Sequence, residues 1–585
     1  GSLDALSGGL LTINSALVTN GGNVSLNSGG GILLNTGFDT GGGFFTANST
    51  NNNITFTAAN SDTGGGGTFS ATATGTGSIS IPAGANISTN NGSFSAVANI
   101  GDVSISGLTN AGTGNITVAT TTGDLFLLGG LSTSGGFIDI DIVNSGDITV
   151  GNTNTTGGGV FDSRIANTGN ILFQSGTGIA TSGGNILALQ LGSGNVTNDG
   201  TLNALAGGVQ LATTAGTVTS SSTVNAGDFT ATAQTLVDLQ AGFTSNGTTT
   251  IITASTGNVI LAGGVTFTNA GGNNVTINAV TDIDINASFT TTGSGPIDFT
   301  ATNTGGTASV ETLTLSTGTL LNTNGGSVNL SETGSGDLRV TGVGVSTVAG
   351  AFTASTVAGL ITNDTTIETS NGGGGGLLTL SSTGVGAITS TGFLQGGGIV
   401  VSNAGNVLIS NNISQANDIS VSGSNVVLSG FTTDGNATIS ATDQVTLSNA
   451  YQFNNGAVKT FATNATNTVS FAAGANILAS GSPLNFSVNS TNGDVQLNGT
   501  SINLATGTLS ITSGALVDIN SALSNLGGLS AVAASDISLN SNVTTSAGNI
   551  DLTVTGAANI NVGTSSIDTA GGTLTLSSAG GLNVN

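Results

Sequence analysis

The residues of this chain with the means to do chemistry are its aspartates. Histidine and cysteine are absent. That removes the commonest general base, the Ser-His-Asp triad and every thiolate metal site. The three basic residues, Arg164, Arg339 and Lys459, stand far apart in sequence, so the clustered cations that lyase chemistry at a carboxylate needs are missing. Paired carboxylates remain, and Asp139 with Asp141 and Asp282 with Asp284 are the best spaced. Residues two apart in a strand share one face, with Cα atoms about 6.6 Å apart, and two carboxylates can run glycoside hydrolysis. On a flat outward face they lack the burial that raises a general acid's pKa, so the expectation is no catalytic residue and no enzyme. The same four aspartates could hold calcium, which takes six to eight oxygens. Asp298 follows them at less than one turn's spacing, and a solvated acidic face is the plainer reading. Calcium is the only cofactor these residues suggest. No Gly-Lys-Ser/Thr phosphate loop occurs, nor the glycine-rich nonapeptide of calcium-binding rolls.

The elements that carry these aspartates are short strands. From Gly183 to Gly247 the chain reads as lines of about 20 to 24 residues, each opening on Gly-Gly or Gly-Asp and alternating apolar with small polar residues. The same grammar places Val24 with Leu26, Ile116 with Val118, Ile138 with Ile140 and Ile142, and Val275 with Ile277 on single strand faces. Ile550 and Leu552 recur as Leu574 and Leu576 in the next line. Strands this short cannot bury themselves alone. Coiled so that each turn pairs with the next, they bury a continuous core and satisfy their backbone groups. The predicted fold is all-β: a single right-handed parallel β-helix, a β-solenoid of about 20–24 residues per turn. About 26 turns spaced by roughly 4.8 Å would make a rod on the order of 125 Å long. Residues 1–585 read as one continuous domain, an interior or processed segment since Gly1 is not a natural start. The glycine runs 64–67 and 372–376 are expected to be enlarged corners, and Phe and Tyr451 to be core or corner residues. A carbohydrate-stacking role for Tyr451 is the alternative.

Composition supports this and excludes other classes. Charged residues make up 5% of the chain, so the highly charged disordered class does not apply. Acidic residues outnumber basic ones 28 to 3, which argues against nucleic acid and anionic lipid as partners. No run approaches the length of a membrane span. Thr-x-Thr pairs such as Thr230 with Thr232 do not recur at one repeat position, so strand propensity explains them better than an ice-binding row. The glycosylation sequons at Asn53, Asn115 and Asn195 arise readily in a chain so rich in Asn, Ser and Thr.

The recurring openings GGNVSL, GGNILAL, GGSVNL and GGTLTL resemble the repeats of filamentous-haemagglutinin-type adhesins, and those of autotransporter passenger domains are similar. The resemblance implies a right-handed parallel β-helix, a secreted or bacterial cell-surface location, and a role in adhesion, biofilm or surface structure. The chain departs from that pattern in two ways. The Asn-Pro motifs of the secretion domain are missing, the three prolines following Ile81, Gly295 and Ser482. No C-terminal membrane-barrel pattern is seen either. The functional expectation is a structural extracellular fibre that self-associates into filaments by head-to-tail stacking of uncapped ends. A stalk of an adhesin contacting cell-surface glycans or matrix comes second, and a polysaccharide-active enzyme third.

Overall fold

Period-2 alternation with small residues at every corner produces the expected architecture. The computed structural model describes residues 1–584 except 58–59, 265, 271, 273, 303–311, 317–319, 343, 371–374, 455 and 564–565. Its described residues contain no helix. The strands run parallel and stack as a β-solenoid of about 24 turns. The chain divides into two compact units, Gly1–Gly293 and Ser294–Asn585. Three strands make a typical turn, as in Phe94–Ile100, Val103–Ile105 and Thr109–Asn110. Each pairs in register with its counterpart one turn on: Phe94 with Ile116, Val103 with Leu125, Thr109 with Leu131. The turn count falls below 26 because corner loops vary around constant strands. A turn can be as short as Ile419 to Ala437 or as long as Ile297 to Val328.

The inward set is apolar, as the alternation predicts. Val24, Leu26, Ile138, Ile140, Val275 and Ile277 are all buried. Phenylalanines at one register position stack from turn to turn: the Phe45 and Phe69 rings are 5.4 Å apart and those of Phe69 and Phe94 4.8 Å, nearly parallel. Offset stacking of this kind adds to area burial. Some of the polar groups that enter the interior bond one another from turn to turn. Asn198 donates from Nδ2 to Ser220 Oγ at 2.9 Å, and Asn363 to Ser390 Oγ at 2.9 Å.

Two corners set the geometry. Ahead of the first strand stands the sequence Thr-x-x-Gly. Buried Thr40, Thr133 and Thr323 each donate from Oγ1 to the carbonyl of the glycine three residues on, at 2.5 Å. Thr40 and Thr133 also reach the threonine carbonyl of the next turn, at 2.9 and 3.1 Å. The glycine of this motif forms a column. A Cβ on Gly159 would overlap Gly136 O, one on Gly184 would overlap Gly159 O, and one on Gly350 would overlap Gly326 O. The run 64–67 is such a corner, enlarged by one residue, with Thr63 donating to Gly67 O. In the run 372–376, residues 372–374 lie outside the described ones, while Thr369 bonds Gly376 O across the corner at 2.7 Å.

The second corner, between the first and second strands, is a ladder of side-chain acceptors. Asp102 Oδ1 accepts the N–H of Asp124 at 2.9 Å, Asp124 that of Asp147 at 2.8 Å, Asp147 that of Asn170 at 2.7 Å, and Asn170 that of Asn195 at 2.9 Å. Each closes a backbone donor that the bend would otherwise leave unpaired.

The glycine column gives the first test. Gly350→Ala should destabilise the protein by about 1–3 kcal/mol, the usual cost of forcing atoms into a filled space. Gly65→Ala, where an added Cβ meets nothing within 4 Å, should stay within about 0.5 kcal/mol of the parent. Denaturant unfolding of the two variants measures the difference. Equal losses would mean that the column is not a steric constraint.

Candidate functional site

The strand Ile138–Ser145 alternates buried isoleucines with outward aspartates, so Asp139 and Asp141 share the outward face as the spacing predicts. The next turn supplies what the linear sequence hides. Strand Phe161–Ile165 lies beside it with Asp162 opposite Asp139 and Arg164 opposite Asp141. Arg164 grips Asp162 with two nitrogens, Nη2 to Oδ2 at 2.7 Å and Nε to Oδ1 at 3.0 Å. Three carboxylates and one guanidinium therefore occupy two adjacent turns. Phe137, Val160 and Leu187 flank them and enclose a shallow depression of about 440 Å³.

These surroundings change the electrostatics. Burial pushes the Asp141 carboxyl up to about 6, the nearby charges of Asp139 and Asp162 push the same way, and Arg164 opposes them. Burial also raises Asp139 and Asp162, again against Arg164. The expectation that a flat face leaves its aspartates without burial is thus wrong for this pair. Apolar outward side chains on neighbouring turns wall in the carboxylates, and like charges stack about one strand spacing apart.

The second pair is arranged differently. Asp284 lies on the strand Ile283–Ile285, beside Ile260 of the preceding turn. Asp282 sits just before that strand. Its carbonyl accepts the Val259 N–H at 2.9 Å, and its own N–H points to Asn258 Oδ1 at 3.4 Å. The two pairs sit on different faces, because Asp139 belongs to the first strand of its turn and Asp284 to the second. Asp298 faces outward on the strand Ile297–Ala301. Among the described residues no group of three acidic side chains is placed to hold a metal ion. Asp139 and Asp141 offer a divalent cation two carboxylates beside a guanidinium, short of the six to eight oxygens calcium takes.

The remaining candidates are structural. Tyr451 is fully buried. Its hydroxyl donates to Leu428 O and accepts the Ser448 N–H at 2.9 Å, and burial pushes the phenol up. It has no face to offer a sugar, so the carbohydrate-stacking alternative falls. Thr230 and Thr232 do face outward, but the neighbouring turns place Gln210 with Ala212 and Ile251 with Thr253 beside them, so no threonine row forms. The sequon asparagines serve the corners: Asn53 and Asn195 of the second-corner ladder accept the backbone N–H of Ser78 and Thr217, both at 2.9 Å, and Asn115, just ahead of the first strand, accepts that of Phe137 at 3.2 Å. What sequence reasoning missed was Arg164 beside Asp141. The signal available was the 23-residue offset from Ile138 to Phe161, one ordinary turn.

Compared with known proteins, the chain matches no family model, no curated protein and no solved structure.

Two outcomes follow from this geometry. Asp141 binds its proton more tightly folded, near pH 6, than unfolded, near 3.8. Its contribution to stability is therefore unfavourable above pH 6, eases as pH falls from 6 to about 4, and levels off below. Asp141→Asn should be more stable than the parent at pH 7.5, with the gap closing by pH 4.5 in paired urea titrations. A gap that does not depend on pH would contradict the assignment. Tyr451→Phe should cost about 1–3 kcal/mol in the same assay, since it strips the partner from a buried N–H and a buried carbonyl.

Proposed function

We propose that this chain is a non-enzymatic structural β-solenoid of an extracellular fibre at a bacterial cell surface or in its matrix. The observation that carries the reading is the repetition of one hydrogen-bonding edge. Within each unit, turn after turn presents the same row of N–H and C=O groups to its neighbour, from Leu3 beside Val24 to Ile550 beside Leu574. An edge that pairs with the next turn of its own chain can pair in the same way with a turn of another copy, and edge pairing between copies builds open filaments. The resemblance to secreted adhesin repeats supports the location.

A groove favours the second reading, an adhesin stalk. On the third face a depression of about 500 Å³ is lined by Asp39, Asn60, Asp62, Asn86, Ser88 and Asn110. Amides, carboxylates and hydroxyls in a row suit the hydroxyls of a neutral glycan.

Electron microscopy of the purified protein separates these readings. Stacked copies should form fibres with a meridional repeat near 4.8 Å. Monodisperse particles over a wide range of salt and calcium would overturn the fibre. Glycan capture by such particles would favour the stalk. Glycan turnover abolished by Asp139→Asn or Asp282→Asn would replace both readings with an enzyme.

A further inference from the structure

Apart from Asp4 in its first turn, the first face of the Gly1–Gly293 unit carries its strand-borne charge in one place. In the four turns before the strand Ile138–Ser145, and the four after the strand Phe161–Ile165, the outward strand positions hold only Ser, Thr, Asn, Gln, Ala, Val, Leu and Ile. Between them stand Asp139, Asp141, Asp162 and Arg164. At the margins the carboxylates are engaged by backbone: Asp228 by the N–H groups of Thr248 and Thr249 at 2.6 and 2.8 Å, and Asp102, Asp124 and Asp147 by those of the next turn at the second corner. The face is thus a ten-turn neutral sheet with a charged centre.

That centre is self-complementary. A two-fold axis lying along the strands, midway between the two charged turns, exchanges one turn for the other. Two copies packed face to face about this axis set Asp141 of each against Arg164 of the other. Arg164 is half exposed beyond its bond to Asp162, so its outer edge is free to take a second carboxylate. The same operation sets Ala119 against the second copy's Leu189 and Thr117 against its Leu187, pairing small outward residues with large ones. Asp139 then faces the second copy's Asp162, a carboxylate bonded to its own Arg164. A five-residue strand about 17 Å long and a turn spacing of about 4.8 Å cover roughly 80 Å² per turn. Ten turns reach about 800 Å² per copy, the size of a standard stable interface.

We propose that this face is a lateral docking surface for a second copy of the same chain, the two related by a two-fold axis that pairs Asp141 with Arg164 in both directions. The contact is isologous and closed, so it is distinct from edge-to-edge stacking and stands whether or not filaments form. It also gives Asp141, raised toward neutrality in the single chain, the cation that its own turn does not provide.

The chain contains no cysteine, so engineered thiols report the register directly. In Ala119→Cys combined with Leu189→Cys, mild oxidation should link two copies covalently. Either single variant should give at least tenfold less product, because neither thiol meets its own copy. In sedimentation velocity at low ionic strength the parent should be dimeric. Arg164→Asp should weaken the dimer at least tenfold, and adding Asp141→Arg should restore it. A parent that is monomeric, or a dimer indifferent to Arg164→Asp, overturns the proposal. Fibres of the double-cysteine variant that form without a disulfide between copies would leave the fibre reading intact and still overturn this one.

Discussion

The constraint on which the structure depends is the close passage of backbone over backbone at the corner ahead of the first strand. Parallel strands in adjacent turns must lie about 4.8 Å apart to exchange hydrogen bonds. At a strand the side chains point away and the distance is easily met. At this corner the chain turns so that the Cα hydrogen of one turn points at the carbonyl of the last. Gly159 over Gly136 and Gly350 over Gly326 leave no room for a Cβ. The buried threonine three residues earlier fixes the approach, as Thr133 does for Gly136. Every ladder downstream inherits its register from that point, because a strand's first residue is set by where the corner releases the chain.

Part of the acidic composition follows from the second corner. Asp102, Asp124 and Asp147 sit above one another and each uses a carboxylate oxygen to accept the next turn's N–H. Asparagine does the same work at Asn170 and Asn195. A carboxylate makes the stronger bond to an N–H, and a stack of them repels across about 4.8 Å. Passing from aspartate to asparagine along the column, as at Asn170 and Asn195 after Asp147, keeps the acceptor while ending the run of stacked charge. Lysine and arginine have no comparable place, since neither can accept a hydrogen bond. Part of the negative net charge is therefore what this architecture generates from its own corners.

Much of the fold was legible in the sequence because it rests on local rules. The alternation in Ile138-Asp139-Ile140-Asp141-Ile142 states which side chains go in and which go out, and the Gly-Gly openings mark the corners. The candidate site was only half legible. Asp139 and Asp141 share a face by strand geometry alone, whereas the neighbours of Asp141 depend on how many residues the intervening corners consume. Turns from Ile419 to Ala437 and from Ile297 to Val328 differ widely in length, so the ordinary turn length brings Arg164 into range of Asp141 without fixing it there. Tyr451 was ambiguous for a related reason. A lone tyrosine in a strand reads equally well as a core ring or an exposed platform until its hydroxyl is seen closing the Leu428 carbonyl.

The charged centre of the first face shows what such a scaffold does with an exception. Side chains on a solenoid face are held at fixed spacing by ladders that do not relax, so Asp139, Asp141 and Asp162 cannot drift apart to relieve repulsion. Apolar neighbours such as Leu187 and Val160 cannot withdraw to let water in. The strain appears as a raised carboxyl at Asp141 instead of as a distorted strand, for the ladder from Ile138 through Ile142 to Phe161 and Ile165 keeps its register. On a flexible loop the same four residues would separate and titrate normally. Here the backbone holds an unfavourable electrostatic arrangement at constant geometry, and such an arrangement is relieved by a proton or by an opposing charge brought to the face.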